Sequence, residues 1–412
     1  MRASLIIKNT RREVFPMRTD FRSFERFKRM RERARTLLKH GFLVFFAIVL
    51  GLLVSCSKGA QTPDAKSGTA ETVGRGETVT VTDIHGRSVQ VPVPAKRIVA
   101  VGGGALRLIV YLDGVDHLVG IERIERTPNP AKPYQLSYLE QWGELPIIGQ
   151  GGPDPKPDAE QIVAVEPDVI IANLDVAQAD ALQQKTGTPV VTIGYEALGS
   201  FDDTLYDALR LIGQLIDREK RAETLIAWIE TTIKDLDART QTISEASKPR
   251  VYVGGLSFRG AHGMNSTSSD FMPFRLIHAQ NVAGELKVGG VISVDKEQLL
   301  NWDPDIVFID LSNLHLVQNE YIQNRSFYDM MKAFQNKEVY GLFPYINYSV
   351  NIETTLFDAY GAGKILAPAA FQDVDLDRKA TEIFAAFYGD RGSEIYAEMQ
   401  SAFGGFQKIV LP

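Results

Sequence analysis

Arg259 and His262 stand three residues apart in a loop edged with glycine, Ser257-Phe258-Arg259-Gly260-Ala261-His262-Gly263, directly after the apolar run Val251-Tyr252-Val253. A guanidinium pairs in two-pronged fashion with a carboxylate, a catecholate or an oxyanion. An imidazole can ligate a metal or bond to an oxygen of a metal chelate. Tyr345 and Tyr348, flanking Asn347, add ring faces with polar tips, which suit a bulky amphipathic ligand. Nearer the N-terminus, Gly102-Gly103-Gly104 follows a second apolar run and can offer backbone N–H groups to an anion at a helix start. Gly151 and Gly152 lie in a further glycine loop, and Arg107 and Arg123 are cations from the same half of the chain. Each residue also has a plainer reading. Glycines make tight strand-to-helix turns, a lone histidine is usually structural or solvated, and tyrosines fill cores.

These residue types bind; they do not assemble a catalytic set. No G-x-S-x-G or H-E-x-x-H block occurs, and Ser257 and His262 have no third partner. No catalytic residue is therefore expected. A bare metal ion needs clustered His, Cys or carboxylate ligands, whereas only five histidines, widely spaced, follow residue 56. No resident metal or cofactor is expected. A complexed metal or an oxyanion fits the arginine, tyrosine and glycine set better.

The elements that must position these loops are written twice. Glu160-Gln161-Ile162-Val163 leads through three residues to Pro167-Asp168-Val169-Ile170, and Glu297-Gln298-Leu299-Leu300 leads through three to Pro304-Asp305-Ile306-Val307. Each copy reads as the end of an amphipathic helix, a Pro-Asp turn and a strand apolar on both faces. A second echo pairs Arg97-Ile98-Val99-Ala100 with Arg250-Val251-Tyr252-Val253, each followed by glycines. Two α/β lobes of related plan follow. Between them, residues 217–241 hold no Gly or Pro and place Ala222, Leu225, Ile226, Ile229, Ile233 and Leu236 on one stripe, the pattern of one stiff connecting helix. In such sheets ligands sit beyond the carboxyl ends of the strands. The irregular segment Glu125 to Glu144 is expected to cap the cleft.

At the N-terminus, the uncharged run Gly41–Val54 follows Arg31, Arg33, Arg35 and Lys39. A basic region before a short apolar run is a signal peptide, and the run is too short for a spanning helix. Leu53-Val54-Ser55-Cys56 has the form of a bacterial lipobox, which makes Cys56, the one cysteine of the chain, the expected site of lipidation. Residues 56–78, rich in Gly, Ser, Thr and Ala, read as a flexible tether. Residues 1–55 carry thirteen Lys/Arg and four Asp/Glu, so their removal takes the formal charge from −6 to −15. An acidic chain without a basic stripe argues against nucleic acid. A single cysteine, already spoken for, argues against a metal-cluster oxidoreductase.

Asp83-x-x-Gly86-Arg87 with Val91-Pro92, Lys96-Arg97-Ile98-Val99, the doubled Glu-Gln…Pro-Asp block, the single long helix and the lipobox together resemble the class III substrate-binding lipoproteins of ABC importers. That group serves iron-siderophores, haem, corrinoids and some metal oxyanions, and the likeness spans residues 79 to 390. The resemblance implies an α/β fold of two Rossmann-like lobes with central, mainly parallel sheets joined by one long α-helix. It divides the chain into a signal peptide (1–55), tether (56–78), N-terminal lobe (79–216), interlobe helix (217–241) and C-terminal lobe (248–412). It implies cargo, foremost a siderophore-type iron complex, held between the lobes of a membrane-anchored protein outside the cytoplasm. Its expected partners are a dimeric permease with its ATPase, on which Glu160 and Glu297 would dock.

Overall fold

The structure, a computed structural model, describes residues 77–136, 138–194 and 201–412. The expected signal peptide, Cys56, most of the tether and the loop residue Tyr195 lie outside the described residues. The described residues open on strand β1 (Glu77–Thr82), which pairs antiparallel with β2 (Ser88–Val93), Glu77 opposite Val93. Asp83 locks the turn of this hairpin to the body of the lobe. Its carboxylate accepts from the Arg87 amide at 2.9 Å and guanidinium at 2.9 Å, and from the Thr192 hydroxyl at 2.6 Å. Burial opposes ionisation there, yet these bonds hold the Asp83 carboxyl below its ordinary value. The Asp-x-x-Gly-Arg motif is thus a structural clasp.

Each lobe is built on a four-stranded parallel sheet. In the first, β3 (Ile98–Val101), β4 (Leu118–Gly120), β5 (Val169–Ala172) and β6 (Val190–Thr192) lie in the order β4-β3-β5-β6. In the second, β7 (Arg250–Gly254), β9 (Gln280–Asn281), β11 (Ile306–Asp310) and β12 (Val339–Leu342) lie in the order β9-β7-β11-β12. A small antiparallel pair, β8 (Ser266–Ser268) with β10 (Val291–Ser293), sits beside it. Both sheets therefore have one topology, with the first strand of the lobe second in line.

The doubled motif is explained by identical backbone work in the two lobes. Asp168 accepts from the Lys96 and Arg97 amides at 2.8 and 2.9 Å, tying the start of β5 to the start of β3. Asp305 does the same for β11 and β7 through the Arg250 amide at 2.9 Å. The paired arginines then satisfy the carbonyls left open at the end of the preceding helix. Arg97 donates to Val165 and Glu166, and Arg250 to Trp302, at 2.6–2.9 Å. Glu166 and Asp303, the residues before the two prolines, both take left-handed backbone, φ 44° and 40°. They close helices α2 (Ala159–Ala164) and α6 (Lys296–Trp302), given α1 as Ala105–Tyr111, α3 as Val176–Thr186, α4 as Asp203–Ile216 and α5 as Glu219–Thr240.

The strands are apolar throughout because both faces are covered. Ile98, Ala100, Val169 and Ile171 face one core, and Val99, Val101, Ile170 and Ala172 face another. This is the period of two expected of a doubly covered strand. The C-terminal lobe repeats it, with Val251, Val253 and Phe308 on one side and Tyr252, Val307 and Ile309 on the other. The connector α5 has 22 residues, about 33 Å at 1.5 Å per residue. It is not the sole link between the lobes. One continuous apolar core runs from α1, α4 and α5 into α8 (Ile352–Leu366), α9 (Leu376–Tyr388) and α10 (Gly392–Phe403), with α7 (Leu314–Gln323) on the opposite side of the second sheet. The segment expected to be irregular, Glu125 to Glu144, holds short helical turns, Pro133–Leu136 and Leu139–Trp142, with Trp142 buried between them and the N-lobe core.

Candidate functional site

The loops at the carboxyl ends of β3, β4 and β5 meet the hairpin after β12, and there the two lobes touch. At the end of β3, Gly102 has φ +85°, and a Cβ on it would lie 2.6 Å from the Asn173 carbonyl oxygen. Only glycine fits that approach. The Asn173 side chain, beyond β5, donates to the Gly103 carbonyl at 2.8 Å and joins the two loops. From the other lobe comes a tight hairpin in which Ile346 bridges to Val350 and the Asn347 amide donates to Ser349 at 3.0 Å. Its tip residues Tyr348 and Ser349 both have positive φ, 52° and 82°. Non-glycine residues take such backbone rarely, and it is enriched at functional sites.

The tip lies against the first lobe. A Cβ on Gly103 would sit 3.5 Å from the Tyr348 ring, so the ring lies over the glycine loop. Tyr348 donates its hydroxyl to Glu122 Oε2 at 2.6 Å, and the Gly102 amide donates to Glu122 Oε1 at 3.2 Å. Arg107, fully buried on α1, donates to the Asn347 and Tyr348 carbonyls at 2.8 and 3.3 Å and lies over the Tyr134 ring. Asn351 donates across to the Ala131 carbonyl at 2.9 Å. Behind this contact, Glu125 accepts from Tyr134 at 2.8 Å and faces the Lys132 ammonium at 3.4 Å. On the far side of Arg107, Glu353 accepts from Tyr111 and, at 2.8 Å, from Tyr388.

The electrostatics follow from burial. Glu122 is 3% exposed, and burial pushes its carboxyl up to about 7, against the opposing bonds from Tyr348 and Gly102. Burial lowers the Lys132 ammonium below its ordinary value and raises the Glu353 carboxyl. Buried charges of both signs therefore meet at the lobe interface, each with a partner.

The residues expected to bind ligand separate into three groups. Gly103, Gly104, Arg107 and Tyr348 come together at the interface, with Gly151 beside Glu122, where a Cβ would lie 3.1 Å from the Glu122 Cβ, and the Gly152 amide bonded to Tyr348. Arg123 is exposed next to Glu122 in the chain, and Arg259 and His262 are exposed on the loop after β7. The His262 ring is bonded to the Phe258 carbonyl at 2.7 Å, and the Arg259 guanidinium lies 5.6 Å from the Phe258 ring. Tyr345 is enclosed instead: it is 1% exposed and meets Phe271 edge-on at 4.9 Å, so it fills the core, not the cleft. Glu122 was missed. It lies two residues beyond β4, where the carboxyl-end rule would have found it.

Glu160 and Glu297 occupy matched places, each the second residue of its helix after an aspartate cap, Asp158 or Asp295. Helices that link parallel strands run back along the sheet, so their first turns lie at the carboxyl ends of the strands. Both glutamates are exposed, and neither takes part in an ion pair among the described residues. No helix of the described residues is long and apolar enough to cross a membrane.

Comparison with known proteins agrees with this architecture. The family profile named Periplasmic binding protein matches residues 98–345. An uncharacterized ABC transporter substrate-binding lipoprotein of Bacillus subtilis, YvrC, is 22% identical over 298 residues, 71% of this chain and 86% of its own. The molybdate-binding protein MolA of Haemophilus influenzae is 24% identical over 337 residues, 75% of this chain and 90% of its own. In fold, a periplasmic solute binding protein from Veillonella parvula superposes with a TM-score of 0.63 at 20% identity, covering 80% of this chain and 97% of that one. These relatives are substrate-binding proteins of transport systems and not enzymes. The chain belongs to the periplasmic binding protein family and is a substrate-binding protein of an ABC transporter.

Proposed function

We propose that the chain captures a siderophore-type iron chelate between its lobes and delivers it to the permease from a lipid anchor at Cys56. The observation that carries this reading is the meeting of the Gly102–Gly104 loop with the Tyr348 hairpin at the carboxyl ends of the two matched sheets. The hairpin is a short loop with two residues of positive φ, held to the first lobe by Arg107 and Glu122. A ligand that displaces it meets the glycine loop, the buried Glu122 carboxyl and the Arg107 guanidinium. On the loop after β7, Phe258 is 44% exposed beside Arg259 and His262. An aromatic face with a guanidinium suits a large anionic chelate more than a small ion.

A second reading, capture of a molybdate-type oxyanion, is favoured by the likeness to MolA, whose name records that cargo. Lipidation at Cys56 draws support from YvrC, which is named a lipoprotein. Two acyl chains would hold the protein at the membrane surface, outside the cytoplasm. Calorimetric titration of the purified chain in detergent tests the cargo. The panel comprises ferric catecholate, hydroxamate and citrate complexes, haem, cobalamin, molybdate and tungstate. Submicromolar saturation by a ferric chelate is the expected result. Saturation by molybdate or tungstate alone would replace the chelate reading with the oxyanion one.

A further inference from the structure

We propose that Glu122 sets the cargo specificity of the cleft by excluding free oxyanions. This rests on the receptor reading above and narrows it. A small tetrahedral anion held between the lobes would need hydrogen-bond donors from both sides. At this contact the Gly102 amide and the Tyr348 hydroxyl are such donors, one from each lobe, and both already serve the Glu122 carboxylate, at 3.2 and 2.6 Å. Glu122 occupies the position of the anion.

The surrounding charges do not relieve this. Lys132 faces Glu125 at 3.4 Å, and Arg107 is bound to the Asn347 and Tyr348 carbonyls. Tyr134 also donates to Glu125, so these three side chains already have acceptors. An oxyanion must therefore displace Glu122 from its donors or sit beside it, with two negative charges in one desolvated space. A metal chelate escapes the conflict where its organic frame turns an amide N–H or a hydroxyl toward the carboxylate. Gly151 reserves room for this side chain, since a Cβ there would crowd both its Cβ and its carboxyl carbon.

The exclusion weakens in acid, where the carboxyl, raised by burial to about 7, takes up a proton and becomes a donor. The groups that bear on this titration are Tyr348 from the hairpin, the Gly102 amide from the glycine loop, and Glu125 and Lys132 from the capping segment.

Calorimetry with sodium molybdate as the probe tests this, on the full chain and on Glu122→Gln, at about pH 6 and about pH 8.5. Glutamine keeps the shape without the charge: its one carbonyl oxygen can accept from the Gly102 amide, while its NH2 faces the Tyr348 oxygen as a donor. At the higher pH the variant is expected to bind molybdate at least about tenfold more tightly than the unaltered chain, and the gap should narrow at the lower pH. Tyr348→Phe gives an independent check. It removes a bond that favours the carboxylate, so the pH below which molybdate binds should rise. Equal or tighter molybdate binding by the unaltered chain at high pH would overturn the proposal, as would a gap independent of pH or an unmoved Tyr348→Phe profile. The receptor reading is judged separately, by ferric-chelate binding to the unaltered chain. If that binding is present and Glu122→Gln gains no molybdate affinity, only the role of Glu122 falls.

Discussion

Reversing the charges of both matched glutamates, Glu160→Lys with Glu297→Lys, is expected to abolish uptake of cargo while leaving cargo affinity within about twofold of the unaltered chain. Both side chains are solvent-exposed second residues of helices that begin on the carboxyl side of their sheets. A surface charge contributes little to folding, so stability should barely change. In a complex the same charge opposite a permease arginine controls encounter and register, and like-charge juxtaposition is strongly unfavourable. Either single reversal should reduce uptake less than the pair, because one lobe keeps its glutamate. Transport in whole cells, with affinity measured in parallel on purified protein, separates the two effects. Normal uptake by the double variant would remove both glutamates from the docking role.

The second large effect is expected at Arg107. Its guanidinium is fully buried and donates to two carbonyls of the opposite lobe, with Tyr134 packed beneath it and Glu353 nearby. Arg107→Met fills much of the volume but leaves the Asn347 and Tyr348 carbonyls without these donors and takes a cation from beside Glu353. Removing one member of a buried charge network costs about 3–5 kcal/mol. Urea unfolding should show that loss as a lowered midpoint at unchanged slope. Arg107→Lys is expected to recover less than half of it, since an ammonium on a flexible stem cannot span both carbonyls as the planar fork does. An unfolding free energy within about 0.5 kcal/mol of the unaltered chain would show that the interlobe contact is held elsewhere.

Much of the architecture was legible because it is written twice. The Pro-Asp turns and their paired arginines recur since both lobes must solve one problem, anchoring the third strand to the first. The structure shows that job done by Asp168 with Arg97 and by Asp305 with Arg250. The long helix was visible in its apolar stripe and its lack of Gly and Pro. What the stripe did not convey is that the helix shares its core with α8 and α9, because that packing joins residues more than a hundred positions apart.

The site was less legible for the same reason. The Tyr348–Glu122 bond links residues 226 apart, and no local pattern marks Glu122 as buried. Tyr345 and Tyr348 look alike in sequence, three residues apart. The turn of the hairpin sends one ring into the core against Phe271 and the other onto Gly103. The short helical turns within 125–144 were unpredicted because each is a single turn, too brief for a period to register.

Cargo seated between the lobes, where the Tyr348 hairpin meets the glycine loop, is tested by iron anomalous scattering from crystals of the protein grown with the ferric chelate that binds most tightly. One strong iron peak is expected between the lobes, flanked by Gly103, Glu122 and Tyr348, with the hairpin shifted from its place against the first lobe. A peak elsewhere would contradict it, for example in the apolar hollow lined by Ile243, Ile277, Leu366 and Pro368 near the end of the long helix.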